Sequence, residues 1–272
     1  MPIIPFIPCP ATGHAFIGRH GLIKNLRGRI AAGESVAVIG GPKLGKTSLV
    51  RTALEGLSDR RVIELDLSNP STTRLDAASG AILVLDNLDS PSDAAMESLL
   101  ARTSRMAAAS VVITGSRRLR TLLDRAGTLS GRKFRLYPLS VLLDGEMRQL
   151  IGRDMTVRLS RWTGNHPYLT KLFLHYGDKI LSAGRGQWEP FIHQLAAEIG
   201  DGPERQLLCY LIECGKPLNP ALASSAMGIR DIKPIADTLV YLGAISRTIR
   251  NEEATLFAGC GLLNEFIIGR RD

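Results

Sequence analysis

A chain of 272 residues suits one large domain or two to three small ones, and 44% hydrophobic with 22% charged content is ordinary for a globular protein. No apolar run approaches the roughly 18 residues that span a bilayer, so no membrane role is expected. The net charge of +8, dominated by arginine, is spread along the chain, with Arg117-Arg118-x-Arg120 the densest cluster. Diffuse charge admits nucleic acid, an acidic partner or simple solubility, and singles out none of them.

The opening MPIIPFIPCP is apolar but proline-broken and has no basic stretch before it, which argues against a signal peptide. The four cysteines (Cys9, Cys209, Cys214, Cys260) lack paired metal spacing and fit a reduced, cytoplasmic setting. The five histidines likewise show no ligand spacing, and no transition-metal site is expected.

Residues 1–15 read as an extended leader, since their prolines and glycines oppose a helix. An amphipathic helix follows from about His20 to Ala32, with Leu22, Leu26 and Ile30 on one face. Five apolar segments then alternate with helical ones: Val36–Ile39, Val62–Leu67, Ala81–Leu85, Val111–Thr114 and Phe134–Leu139. Strands apolar throughout and separated by helices predict an α/β fold with a five-stranded parallel sheet covered on both faces. From about Ser140 the alternation stops. Helices are expected at Asp144–Gly152 and Tyr168–Leu181, then at Glu204–Cys214, Pro220–Met227 and Asp231–Leu242. Two short strands, Ala244–Arg247 and Ala254–Phe257, close the series around a turn at Arg250–Glu253. Three helices and a hairpin describe a winged helix. The expected domains are therefore a nucleotide-binding domain at 16–140, a small helical domain at 141–200 and a winged-helix domain at 201–272.

The first expected strand runs into Gly40-Gly41-Pro42-Lys43-Leu44-Gly45-Lys46-Thr47, which satisfies the phosphate-binding loop pattern at every required position. Glycines let successive N–H groups converge on phosphate oxygens, and the helix that follows presents its positive N-terminus. Lys46 is expected to reach the β- and γ-phosphates and the Thr47 hydroxyl to ligate Mg²⁺, with Gly40 to Ser48 forming the nucleotide cradle. The third apolar strand ends at Asp86, a carboxylate suited to holding Mg²⁺ through water. The position after it, where a hydrolytic site usually carries a second acid, is Asn87, so slow hydrolysis is expected. Asp89 either substitutes for that acid or caps the helix beginning near Pro91. Arg117, just past the fourth apolar strand, is placed to sense the γ-phosphate.

These pieces together resemble the STAND branch of AAA+-type ATPases, in particular the bacterial and archaeal AAA-like ATPases. Phe16-Ile17-Gly18-Arg19 is similar to that family's FVGRE opening motif, and the order GGPKLGKTS, ILVLD, VVITGSR, YPL and TGNHPYLT is similar throughout. The resemblance covers about residues 16–270. It implies that Arg19 lies near the nucleotide, that Lys46, Thr47 and Asp86 hold phosphates and Mg²⁺, and that Arg117 is the sensor. It also implies that Pro167 packs beside the adenine with His166 adjacent. His20 and Asn87 depart from the family pattern, which has acids at both places. Family members often switch from an ADP-bound closed form to an ATP-bound assembly. No effector or sensor-repeat segment is visible in this sequence, so output through a separate partner protein is implied.

Three functions compete at this point. The first is a slow ATPase switch that assembles as a homo-oligomer on binding ATP and acts through partners in signalling or defence. The second is a DNA-associated ATPase regulator of transposition or replication type that uses the winged helix. The third is a scaffold that keeps nucleotide as a structural cofactor. The expected recognition helix, Asp231–Leu242, offers Lys233 as its one cation beside Asp231 and Asp237, a poor groove reader.

Overall fold

The computed structural model describes residues 16, 18–68, 79–88, 90–125, 132–250 and 253–269. The chain divides into two compact units, one formed by the described parts of Cys9–Gly40 and Gly45–Leu139, the other by Gly41–Leu44 and Ser140–Asp272.

The first unit follows the alternation read from the sequence. Helix α1 (His20–Ala31) precedes β1 (Ser35–Ile39), α2 (Lys46–Leu54), β2 (Val62–Asp66), β3 (Ile82–Asp86), α3 (Asp93–Ser104), β4 (Ser110–Gly115), α4 (Arg117–Arg125) and β5 (Phe134–Pro138). The five strands form one sheet in the order β2-β3-β4-β1-β5, with all neighbouring pairs parallel. This is an α/β P-loop NTPase fold. Strand β4 is thus inserted between β1 and β3, although β3 comes first in the chain. The edge position of β5 accommodates Pro138, which has no N–H to give a further strand.

Side chains alternate across the sheet, and the two faces have separate tasks. Ala37, Ile39, Leu65, Leu83, Leu85, Val111 and Ile113 share a core with Met96 and Leu100 of α3 and with Leu119 and Leu122 of α4. The intervening residues, among them Val38, Glu64, Asp66, Val84, Asp86, Val112 and Thr114, point to the opposite face. Helix α1 packs on α2, and Arg27 of α1 donates from Nε and Nη2 to the carbonyls of Ala53 and Thr52 at 3.0 and 3.1 Å. Those bonds satisfy carbonyls near the C-terminal end of α2 that have no helical partner. Helix α3 starts after Ser92, whose Oγ accepts the Ala95 N–H at 3.4 Å. Leu83 is fully buried in the second strand from the sheet edge. Leu83→Ala is expected to cost about 2–5 kcal/mol, read as a lower urea midpoint with the slope unchanged.

The second unit is helical. It contains α5 (Asp144–Ile151), α6 (Arg153–Thr163), α7 (Pro167–Tyr176), a 3-10 turn at Gly177–Leu181, α8 (Arg185–Ile199), α9 (Pro203–Cys214), α10 (Pro220–Met227) and α11 (Lys233–Leu242). An antiparallel hairpin of β6 (Ser246–Arg250) and β7 (Glu253–Phe257) precedes α12 (Gly261–Ile268). Leu218 adds a bridge to the hairpin, exchanging N–H···O bonds with Leu256 at 2.9 and 2.8 Å. Gly164 ends α6 at φ 57°, and a Cβ there would lie 2.9 Å from the Cys260 Cβ, so both conformation and space require glycine.

Several boundaries differ from the sequence reading for identifiable reasons. Helices α6, α8 and α12 are additional to those expected. Pro190 inside α8 reads as a helix breaker, yet the helix runs on past it with Ile192, Leu195 and Ile199 buried. Helix α11 begins two residues later than expected because the Asp231 side chain accepts the Lys233 N–H at 3.0 Å, forming a turn first. Ala244 and Ile245 are not strand: the Ala244 N–H donates to Leu239 O at 3.0 Å and helps close the end of α11.

Candidate functional site

The C-terminal ends of β1, β3 and β4 converge because the sheet order makes β4 the neighbour of both other strands. At the end of β1, the Gly40 N–H donates to Gly115 O at 3.1 Å, fixing the start of the loop against the end of β4. The loop then turns through Lys43 at φ 56° and Gly45 at φ 88°. Gly45 is the residue before α2, and a Cβ on it would lie 3.4 Å from Arg19 Nη1. Arg19 is only 8% exposed, so its guanidinium is buried beside the last glycine of the loop. Lys46 Nζ donates to Gly40 O at 2.8 Å, closing the loop across its own base.

At the crest, Gly41 to Leu44 belong with the second unit. The Gly41 N–H donates to Tyr241 O at 2.6 Å, and the Lys43 ammonium stands 5.7 Å from the Tyr168 ring centroid. A Cβ on Gly41 would meet Leu242 O at 2.4 Å, which excludes any larger residue there. Ser48 is buried in the first turn of α2, and Pro42 is buried in the crest.

Asp86 is the centre of the polar network. Although only 3% exposed, it has two hydroxyl donors. Thr47 Oγ1 donates to Oδ2 at 2.7 Å, and Thr114 Oγ1 donates to Oδ1. Thr114 in turn accepts the Asn87 N–H at 3.0 Å, so the residue after Asp86 is tied back to β4. Asn87 sits at φ 55°, and its Nδ2 donates to Asp66 Oδ1 at 3.0 Å. Ser68 donates to the same oxygen from its N–H at 3.0 Å and from its hydroxyl at 2.6 Å. Partial burial pushes the Asp66 carboxyl up, but the bonds from Ser68 and Asn87 and the charge of Arg51 outweigh it and hold it below the ordinary carboxylate value.

A hydroxyl and a carboxylate oxygen 2.7 Å apart, at the N-terminus of α2, form a hard-oxygen donor pair of the kind Mg²⁺ takes together with substrate phosphates and water. Among the described residues no cluster of three or more His, Cys, Asp or Glu could hold a metal by itself. The hydroxyl–carboxylate pair fits an Mg²⁺ ion whose other ligands are phosphate oxygens and water.

Thus Arg19, Gly40, Gly45, Lys46, Thr47, Ser48 and Asp86 all lie in the first unit around the start of α2. Arg117 is exposed as the first residue of α4. Asp89 lies outside the described residues, and the cap of α3 is supplied by Ser92. His166 and Pro167 lie in the second unit. His166 is 1% exposed with its ring 4.7 Å from that of Phe191, and Pro167 opens α7. Asn165 of the same motif donates to Asp144 Oδ1 at 2.8 Å and accepts the Leu142 N–H at 3.0 Å, a joining role within that unit. Thr114 and Asp66 were not expected in the network. Their signals are a lone hydroxyl ending the apolar run VVIT, and a second strand, VIELD, that ends in Asp as ILVLD does.

No family model matches the chain, and no curated protein sequence does. Among solved structures it is similar to a Walker-type ATPase of Pyrococcus abyssi, with a TM-score of 0.59 and 13% identity over 98% of this chain and 99% of that one. It also aligns with the ORC1 protein of Aeropyrum pernix in complex with DNA, at a TM-score of 0.42 and 14% identity over 94% and 93% of the two chains. The RuvB Holliday junction branch migration motor of Thermotoga maritima aligns at 0.45 and 16% over 91% and 94%. The first of these likenesses, over nearly the whole of both chains, supports the fold: a five-stranded parallel α/β sheet of P-loop NTPase type.

Proposed function

We propose that the chain is an ATP-binding, slowly hydrolysing molecular switch of STAND type that changes its assembly state with the nucleotide and acts through separate partner proteins. The observation that carries this reading is the Thr47–Asp86–Thr114 chain of hydrogen bonds at the first turn of α2, at the end of the phosphate-loop motif. Loop N–H groups and the N-terminus of α2 bind the phosphates, and Lys46 exchanges Gly40 O for the β- and γ-phosphate oxygens. Thr47 and Asp86 hold the Mg²⁺, which when bound neutralises charge on the phosphates. Arg19 stands beside Gly45 close to the bound phosphates, and Arg117 answers to the γ-phosphate. The preference for adenine and the placing of His166 and Pro167 beside it rest on the family resemblance. The Walker-type ATPase from Pyrococcus abyssi, similar in fold, supports ATPase activity as the general class. Slow turnover follows from Asn87, whose amide cannot take a proton from water.

In this reading residues 141–200 are the helical lid and 201–272 a winged helix built from α9, α10, α11 and the hairpin. Asp237 of α11 pairs with Arg247 of the hairpin at 2.6 Å, which turns that helix's charge inward and favours protein packing over groove reading. Among the described residues no helix is long and apolar enough to cross a membrane.

Light scattering on the purified chain with ADP, then ATP–Mg²⁺, alongside Lys46→Ala, tests the switch. ATP–Mg²⁺ is expected to raise the mass of the wild type to that of an oligomer and to leave the variant unchanged. An unchanged wild-type mass under both nucleotides would sink assembly by ATP alone, and salt-sensitive DNA binding would replace it with the regulator reading.

A further inference from the structure

The carboxylate that is missing at position 87 has a counterpart on the next strand. Strands β2 and β3 are parallel and in register, with Asp66 opposite Asp86, so the two acids stand one strand spacing apart at the same height. They also share a face. Ile63 and Leu65 pack into the α3 and α4 core, which sends Glu64 and Asp66 to the other side of the sheet. Glu64 there meets Arg51 of α2 at 2.7 Å, and Asp86 meets Thr47 at the start of the same helix. Asp66 is therefore directed to the face of the sheet that carries α2, and its side chain is exposed at the end of β2, the first strand of the described order.

Its oxygens are unequally used. Among the described residues every hydrogen bond to Asp66, from the Ser68 N–H, the Ser68 hydroxyl and Asn87 Nδ2, falls on Oδ1. Three donors fix the carboxylate plane, and among the described residues none donates to Oδ2 of this exposed side chain. The amide at 87 is thus not an empty replacement for an acid: it is the arm that holds one.

Resting on the ATPase reading above, we propose that Asp66 is the water-orienting catalytic carboxylate of this site, acting as its base, and that Asn87 is its positioning residue. Oδ2 accepts a hydrogen bond from the attacking water and turns the water's lone pair toward the γ-phosphorus. The new P–O bond forms as the bond to the β,γ-bridging oxygen breaks, and ADP leaves with that electron pair. One water proton stays on the phosphate as HPO₄²⁻, and the other passes by way of Asp66 to solvent. The depressed basicity of Asp66 agrees with a carboxylate kept ionised and with slow turnover.

Asp66→Asn keeps an oxygen for Ser68 and Asn87 and removes the charge. It is expected to bind ATP–Mg²⁺ and ADP within about twofold of wild type while hydrolysis falls about 100-fold. Binding of ADP with aluminium fluoride, which needs an ordered water in the attacking position, is expected to fall to the level of ADP alone. Asn87→Asp placed in that background restores an acid from β3 and is expected to recover at least about tenfold of the lost rate. Wild-type hydrolysis in Asp66→Asn, or tight ADP–aluminium fluoride binding by it, overturns the inference while leaving the ATPase reading intact. A wild-type chain that binds no ATP overturns both.

Discussion

Replacing Lys46 with alanine is expected to weaken ATP–Mg²⁺ binding by about 10- to 100-fold, since a charge-assisted hydrogen bond contributes about 1.5–3 kcal/mol and 1.4 kcal/mol is tenfold. Residual hydrolysis should fall further, by about 10²–10³, because in the proposed role the ammonium is a fixed donor where charge develops on the transferring phosphoryl group. The fold should survive. Lys46 Nζ bonds Gly40 O at the partly exposed base of the loop, and the N-terminus of α2 keeps its anchor in the Leu49 N–H···Gly45 O bond at 2.9 Å. Loss of the lysine bond, which is charge-assisted but partly solvated, is therefore expected to lower stability by no more than about 1.5–3 kcal/mol, too little to unfold the chain. Isothermal titration with ATP–Mg²⁺, paired with urea unfolding of the same preparation, separates the two effects.

Asp86 is expected to behave differently, because its proposed Mg²⁺ role and its hydrogen bonds to Thr47 and Thr114 fall on the same carboxylate. Asp86→Ala leaves the fully buried Thr114 hydroxyl without its acceptor and releases Thr47 as well. Leaving a buried donor unsatisfied costs about 1–3 kcal/mol, so this variant should unfold at a clearly lower urea concentration. Asp86→Asn keeps shape and an accepting oxygen, and its stability should stay within about 1 kcal/mol of wild type. Both should lose the gain in ATP affinity that Mg²⁺ brings, since a neutral amide is a poor ligand for a hard divalent cation. An Asn variant with full Mg²⁺ dependence would remove Asp86 from the metal site.

The sheet was legible because its strands are short apolar runs closed by Gly, Pro or Asp, a pattern that local sequence carries by itself. The proposed phosphate loop was legible for a similar reason: Gly40 to Thr47 is one continuous segment that matches a pattern set by the spacing of phosphates. Thr114 and Asp66 were not. Each is an ordinary residue at the end of its own strand, and its meaning comes from the order β2-β3-β4, which places Asp66, Asp86 and Thr114 side by side. Strand order is a property of tertiary packing that no local window encodes. In the second unit, α8 contains Pro190, a residue that locally disfavours a helix interior, and the buried face of Ile192, Leu195 and Ile199 overrules it. The motif Gly164-Asn165-His166-Pro167 was visible as a motif, whereas the joining role of Asn165 depends on Asp144 and Leu142, which lie more than a helix away in the chain.

The central claim is that this loop binds a nucleoside triphosphate with Mg²⁺, and a fluorescent ATP titrated into the wild-type chain with and without Mg²⁺ tests it most directly. The account predicts saturable binding of one nucleotide per chain, tightened by Mg²⁺, displaced by unlabelled ATP and lost in Lys46→Ala. Absence of saturable binding, or equal binding by the Lys46→Ala variant, would contradict it.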